Sequence, residues 1–152
     1  MKFKNFSEAT DVLISELAKS AILNSDWQAL AVGEISQNIA TKVADQFNLI
    51  QGVIEVHREV DELGYVNELR IQLPEILKSR LLICDLGVET GTTASAIAEI
   101  LHASGAIDEL AIAALVVPKE MLPLLRANFH HVISARSPMI RRSLAWEFEE
   151  FA

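Results

Sequence analysis

Two carboxylates, three threonines and two glycines fall within nine residues, at the point where an apolar segment gives way to a helical pattern. Residues 81–84 are apolar and are followed by Asp85, which predicts a buried strand ending in a carboxylate. After Gly91 the apolar residues recur at spacings of three and four, which predicts a helix; they are Ala94, Ile97, Ala98 and Leu101. A sharp loop containing Glu89 must connect the strand to the helix.

This loop has the chemistry of a phosphate site. Backbone N–H groups at the start of a helix have no intrahelical partner, so they point into the loop and favour an anion. Gly91 allows close approach of the backbone, and neighbouring hydroxyls add donors. We therefore predict that a phosphate binds at the threonine loop (residues 90–93), which consists of Thr90, Gly91, Thr92 and Thr93. Asp85 and Glu89 would lie beside it.

The same segment resembles the ribose-phosphate signature of type I phosphoribosyltransferases, in which apolar residues precede two acids and a Thr-Gly-x-Thr loop. The resemblance implies that the threonine loop binds the 5′-phosphate of phosphoribosyl pyrophosphate and that Asp85 binds a ribose hydroxyl. Glu89 stands where some purine enzymes of the family carry a general base, so it and Asp85 are the candidate catalytic residues. Leu86 occupies the place of the second acid.

The resemblance also implies a pyrophosphate loop after an earlier strand. The candidates are Gly33, Glu34, Ile35 and Ser36. The family's loop is usually rich in glycine and carries a basic residue, whereas the charged residue here is Glu34, so an ordinary connection is the alternative. Arg58, in a predicted β-hairpin, is our choice for a pyrophosphate contact. Mg²⁺ would bind through the pyrophosphate, with no direct metal ligand from the protein.

Two other interpretations remain open. Residues 85–91 also resemble the first motif of S-adenosylmethionine methyltransferases, with Glu89 in place of its middle glycine. That motif normally precedes about six further strands, and only 59 residues follow Thr93 here. The other alternative is a non-catalytic relative that binds a nucleotide or ribose phosphate and has a regulatory role, which Leu86 and Glu34 favour.

The pattern of elements predicts a single α/β domain over residues 1–152. We expect a mostly parallel central sheet of about five strands with helices on both faces, together with a small β-hairpin and a hood formed by the two termini. The C-terminal segment carries Trp146, Phe148 and Phe151. Either of the first two could stack on an acceptor base, and core packing is the other possibility.

Composition limits the class of protein. The net charge of −8 argues against a nucleic-acid-binding protein, because such binding depends on Lys and Arg. No apolar run approaches the roughly 20 residues that span a bilayer, so we expect no membrane association and a cytoplasmic protein. Analogy with the phosphoribosyltransferases suggests a homodimer.

Overall fold

The computed structural model describes residues 2–139 and 144–149 and places six strands in one sheet. The strands are β1 (Trp27–Val32), β2 (Ile50–Val60), β3 (Val66–Gln72), β4 (Arg80–Gly87), β5 (Glu109–Val116) and β6 (His131–Arg136). The helices are α1 (Phe6–Ser20), α2 (Gln37–Phe47), α3 (Thr92–Ala103) and α4 (Leu122–Asn128). Phe151 lies outside the described residues. Among those that are described, no helix has the length and apolar character to cross a membrane.

The strand order is β3-β2-β1-β4-β5-β6, and β3 alone runs antiparallel to its neighbour. The sequence predicted a mostly parallel sheet, which is confirmed. The small hairpin, however, is not an addition to that sheet. Its first strand, β2, pairs in parallel with β1, so the hairpin extends the sheet and brings the count to six. This continuity fixes where the side chains of β2 point relative to β1.

Each face of the sheet packs against two helices. Leu82 and Cys84 of β4 belong to the core on the side of α1 and α2, whereas Leu81 and Ile83 belong to the core on the side of α3 and α4. Successive residues of a strand point to opposite faces, so a strand covered on both sides must be apolar throughout. Burial raises the pKa of the Cys84 thiol to about 12, which keeps it protonated.

The first and last described segments of the chain meet on the first of these faces. Phe3 forms an isolated parallel bridge with Phe148, and Phe148 is fully buried against the core that includes α1. The described part of the C-terminal segment therefore returns to the sheet, beside the end of β6. This arrangement brings Leu144 close to the carboxyl end of β4, where the candidate site residues begin.

Candidate functional site

A cleft of about 680 Å³ opens at the carboxyl ends of β1, β2 and β4. Open α/β sheets place ligands at this edge, where successive parallel strands end together. Most of the residues singled out in the sequence line the cleft; they are Gly33, Ile35, Arg58, Asp85, Glu89, Thr90, Gly91, Thr92 and Thr93. The fold thus brings together residues that are up to 60 positions apart.

The threonine loop forms the start of α3, as the sequence predicted. Gly91 is the N-cap, and no side chain caps the helix there. The Thr90 and Thr92 hydroxyls lie 3.1 Å apart, and the Thr92 N–H makes a long contact of 3.4 Å with the Thr90 hydroxyl. The first N–H groups of a helix lack intrahelical acceptors, so this loop gathers hydroxyl and amide donors at the positive end of the helix dipole.

Gly91 is required by two features of the loop. Its φ of 79° lies in the left-handed region that residues with a side chain rarely adopt. In addition, a Cβ at this position would lie 2.6 Å from Cδ2 of Leu124, at the start of α4. The absence of a side chain therefore lets α4 pack directly against the threonine loop.

Arg58 supplies a cation to this loop from β2. Its Nη2 donates a hydrogen bond of 2.6 Å to the Thr93 hydroxyl, and the side chain lines the cleft. The protein as a whole carries a net charge of −8, so a local positive charge beside the α3 N-terminus matters for attracting an anion. Arg58 thus adds a formal positive charge to the hydroxyl and amide donors of the threonine loop, in a cleft that Asp85 and Glu89 also line.

Asp85 is half-buried at the end of β4 and is held by hydrogen bonds. The Leu86 N–H donates to its Oδ1 at 2.8 Å, and the buried Ser36 hydroxyl contacts the same oxygen at 3.4 Å. Burial raises the pKa of Asp85 to about 6, although these hydrogen bonds and the charge of Arg58 act in the opposite direction. The neighbouring Leu86 is buried in the core on the side of α1 and α2.

The candidate pyrophosphate loop is only partly directed towards the cleft. Gly33 has a φ of 70° and its N–H donates to the Ile54 carbonyl at 2.8 Å, so the loop is tied to β2. Gly33 and Ile35 line the cleft, and Ser36 reaches Asp85. Glu34 is exposed and is not among the lining residues. The loop therefore presents backbone and an apolar side chain to the cleft, while its charged residue faces elsewhere.

Glu89 lines the cleft and contacts the C-terminal segment. The Leu144 N–H donates to Glu89 Oε1 at 3.3 Å, and Leu144 itself lines the cleft. Of the two aromatic residues considered for base stacking, Phe148 is fully buried and unavailable to a ligand. Trp146 is 53% exposed and lies beneath the Lys2 ammonium, with Nζ 4.6 Å from the ring centre. Among the described residues of the two terminal segments, Leu144 lines the cleft, and the Phe3–Phe148 bridge joins the segments away from it.

Sequence reasoning did not identify Leu144 or Leu124 as parts of this region. Leu144 and Glu89 are 55 positions apart, and nothing in the local pattern around either residue signals their contact. Gly87 was visible only as part of a motif. A Cβ on it would lie 2.9 Å from Leu144 Cδ1, which explains why glycine fits there.

Several solved structures are similar to this chain in architecture. TT1426 from Thermus thermophilus superposes with a TM-score of 0.76 at 15% identity, covering 100% of this chain and 92% of the other. The purine phosphoribosyltransferase from Pyrococcus horikoshii gives 0.63 at 16% identity, covering 92% and 97%. A Neisseria gonorrhoeae protein with bound ppGpp gives 0.60 at 16% identity, covering 90% and 84%. No family model matches the sequence, and no curated protein matches it.

Hypoxanthine and orotate phosphoribosyltransferases are among the other structural matches. The chain therefore has the fold of the type I phosphoribosyltransferases: a single α/β domain with a six-stranded, mostly parallel sheet. At these identities the likeness concerns the fold, and the chemistry of the cleft has to be argued from its own residues.

Proposed function

We propose that the cleft binds a phosphoribosyl compound, either phosphoribosyl pyrophosphate or a nucleoside monophosphate, through its 5′-phosphate at the threonine loop. The observation that carries this proposal is the hydrogen bond between Arg58 and Thr93, because it puts a cation beside the N-terminus of α3. Amide donors, hydroxyl donors and a guanidinium at one point form a combination suited to a phosphate. The acidic protein would otherwise repel one.

The carboxylates of the cleft suit the remainder of such a ligand. Asp85 has an oxygen that already accepts two hydrogen bonds, and its carboxylate lines the cleft where it would accept another from a ribose hydroxyl. In phosphoribosyl transfer, the bond from the anomeric carbon to pyrophosphate breaks and a bond to a base nitrogen forms. Glu89 would stabilise the cationic sugar or take the proton from the purine or pyrimidine nitrogen.

Mg²⁺ would accompany pyrophosphate if the protein is a transferase. This ion keeps several waters and is usually held by substrate phosphates with one or two carboxylates. Here the ion would bind through the pyrophosphate, with no direct ligand from the protein, and would neutralise charge on the phosphates. The homodimer, expected by analogy, and the cytoplasmic location, expected from the sequence, stay predictions.

A non-catalytic nucleotide-binding protein is the second candidate function, and two observations favour it. The side chain that replaces the second acid, Leu86, is buried in the core, and the exposed Glu34 leaves its loop without a cation for pyrophosphate. The Neisseria neighbour with bound ppGpp also offers a precedent for nucleotide binding on this fold. The methyltransferase interpretation has less support, because only β5 and β6 follow the loop in the described chain.

Calorimetry with four ligands tests these alternatives: phosphoribosyl pyrophosphate with Mg²⁺, ribose 5-phosphate, guanosine monophosphate and S-adenosylmethionine. We expect the sugar phosphates to bind, and Thr92→Val and Thr93→Val each to weaken them about tenfold through loss of a hydrogen bond to a charged group. Thr41→Val, on the exposed surface of α2, is the matched control and should leave the ligand affinities unchanged.

The ligand preference distinguishes the functions. Tighter binding of phosphoribosyl pyrophosphate than of ribose 5-phosphate would favour the transferase and justify assays with purine and pyrimidine bases. Binding of ribose 5-phosphate and the nucleotide without a pyrophosphate preference would favour the non-catalytic protein. If S-adenosylmethionine bound and no sugar phosphate did, the proposed function would be wrong.

A further inference from the structure

A buried serine stands at the start of α2, beside the cleft. Ser36 occupies the N-cap position of this helix, where a serine hydroxyl usually accepts a hydrogen bond from an N–H of the first turn. Here the hydroxyl makes no such bond to the described residues of α2. It is completely buried and donates to Oδ1 of Asp85, at the end of β4, over 3.4 Å. Since buried polar groups are normally hydrogen-bonded, Asp85 replaces the helix as the partner of this hydroxyl.

The short turn before α2 fixes the position of Ser36. The Gly33 N–H donates to the Ile54 carbonyl at 2.8 Å, which ties the start of the turn to β2. The Ser36 N–H donates to the Gly33 carbonyl at 3.3 Å and closes the turn. Because β1 pairs with β4, a turn that follows β1 directly reaches the end of β4. The turn therefore brings a hydroxyl group to the Asp85 carboxylate.

Two donors of the protein hold the same oxygen of Asp85. The Leu86 N–H donates to Oδ1 at 2.8 Å, and the Ser36 hydroxyl is the second donor. A carboxylate oxygen has about two acceptor sites, so these two donors occupy Oδ1. The cleft is lined by Asp85, and Oδ2 is the oxygen that is left to accept a hydrogen bond from a ligand.

The charge of Asp85 depends on the groups around it. Burial raises the pKa of Asp85 to about 6, while its hydrogen bonds and the charge of Arg58 act in the opposite direction. The other titratable groups nearby are the Cys84 thiol, whose own pKa is raised to about 12, and Glu89, which lines the same cleft. Ser36 is uncharged, so its hydroxyl affects Asp85 through the hydrogen bond alone.

The number of open oxygens limits how a ribose can bind at the end of β4. The 2′- and 3′-hydroxyls of a ribose are adjacent, and both can donate to one carboxylate when its two oxygens are open. Asp85 is the only carboxylate of β4, since Leu86 follows it, and its Oδ1 already has two donors. The strand therefore offers one oxygen, which suits one hydroxyl.

We propose that Ser36 is a positioning residue that holds Asp85 with one oxygen towards the ligand, so that the cleft requires one of the two ribose hydroxyls and tolerates loss of the other. This inference rests on the proposed function, because it concerns a phosphoribosyl ligand bound at the threonine loop. It extends the ligand class to one kind of deoxyribose phosphate. Ser36 acts through Asp85, since its own hydroxyl is buried.

Three nucleotides that differ by one hydroxyl test this selection: guanosine, 2′-deoxyguanosine and 3′-deoxyguanosine 5′-monophosphate. They share base and phosphate, so the ratios of their affinities report on the hydroxyls. Calorimetry at pH 8, where Asp85 is ionised, should show one deoxy analogue about tenfold weaker than guanosine monophosphate and the other within about twofold of it, as expected for loss of one charge-assisted hydrogen bond. Equal affinities for all three, or a tenfold loss for both analogues, would overturn the proposal.

Ser36→Ala tests the positioning role. With one donor left on Oδ1, the carboxylate turns more freely and must be ordered when the hydroxyl binds. We expect the ratio of affinities for the two deoxy analogues to fall about threefold. Ser95→Ala, on α3, is the matched control and should leave the ratio unchanged, because the Ser95 hydroxyl is buried and has no hydrogen-bond partner among the described residues. A merely structural role of Ser36 would weaken all three nucleotides alike, and that result would refute the proposal.

The titration of Asp85 gives a readout that needs no ligand. Loss of the Ser36 hydrogen bond disfavours the ionised carboxylate, so the midpoint of the Asp85 titration should rise by about 0.5–1 pH unit in Ser36→Ala. Carbon-13 NMR of the side-chain carboxyl measures this midpoint, and Ser95→Ala should keep the wild-type value. If the wild type bound none of the nucleotides, the proposed function would fail, but a raised midpoint in Ser36→Ala would still support Ser36 as the residue that holds Asp85. An unchanged midpoint would refute that role.

Discussion

Replacement of Gly91 by alanine should lower both the free energy of unfolding and the affinity for ribose 5-phosphate. The loss of stability has two causes that can be measured separately. A residue with a side chain at φ 79° costs about 1–2 kcal/mol in the left-handed region. The new Cβ would also lie 2.6 Å from Leu124 Cδ2, so that side chain must move. Leu124 is 40% exposed and has room to move, which places this second cost near the lower end of the roughly 1–3 kcal/mol for overpacking.

Gly105→Ala is a matched control for the first cost. Gly105 has a φ of 71°, and a Cβ added there would meet no atom within 4 Å, so only the backbone strain applies. Urea unfolding should show that Gly91→Ala loses about 1 kcal/mol more than Gly105→Ala, and that Leu124→Ala in the Gly91→Ala background recovers this difference. Ribose 5-phosphate binding should fall at least tenfold in Gly91→Ala alone, because the Thr92 and Thr93 amides shift. Equal losses for the two glycines would refute a close approach of α4 to the loop.

Three further substitutions test the cation, the buried carboxylate and the buried leucine of the site. Arg58→Gln should weaken ribose 5-phosphate binding about tenfold, while its free energy of unfolding changes by less than about 0.5 kcal/mol. Arg70→Gln is the charge-matched control, and an equal loss of ribose 5-phosphate affinity in both variants would contradict a local role for Arg58. Asp85 has its pKa raised to about 6, so its contribution to stability is present below pH 4 and is lost as pH rises through 6. The free energy of unfolding of Asp85→Asn should therefore rise relative to that of the wild type as pH rises, by up to roughly 3 kcal/mol at pH 7. A difference in urea unfolding that does not change with pH would contradict this. Leu86→Asp, which introduces the second acid of the phosphoribosyltransferase signature, should lower the unfolding free energy by at least about 3 kcal/mol because Leu86 is 8% exposed and the new charge would be buried without a partner. A loss below about 1 kcal/mol would show that the new carboxylate turns towards the cleft, which Leu86 also lines.

The elements around the threonine loop could be predicted from the sequence because their signals are local. The apolar run before Asp85 and the spacing of Ala94, Ile97 and Leu101 were enough to place β4 and α3. Gly91 marked the turn between them because glycine readily adopts the backbone conformations of tight turns, a property of that residue alone. The mostly parallel sheet also followed, since parallel strands need crossover connections and helical patterns separate most of the apolar runs.

The walls of the cleft could not be predicted in the same way, because they depend on contacts between distant residues. Arg58 was chosen as a cation within a hairpin, but its contact with Thr93 requires β2 to lie beside β1 in the main sheet. The packing of Leu144 on Gly87 and of Leu124 on Gly91 arises from the return of later segments across the strand ends. No periodicity or motif encodes such tertiary proximity.

The most direct test of the central claim is an amide chemical-shift titration of the ¹⁵N-labelled protein with ribose 5-phosphate. A phosphate at the start of α3 would accept hydrogen bonds from the backbone of the threonine loop, so we expect the largest shifts at Gly91, Thr92 and Thr93. The amide signals of residues near the amino ends of the strands, such as Leu110 in β5, should not shift. Saturating shifts elsewhere, or none at the threonine loop at millimolar ligand, would contradict a phosphoribosyl-binding cleft.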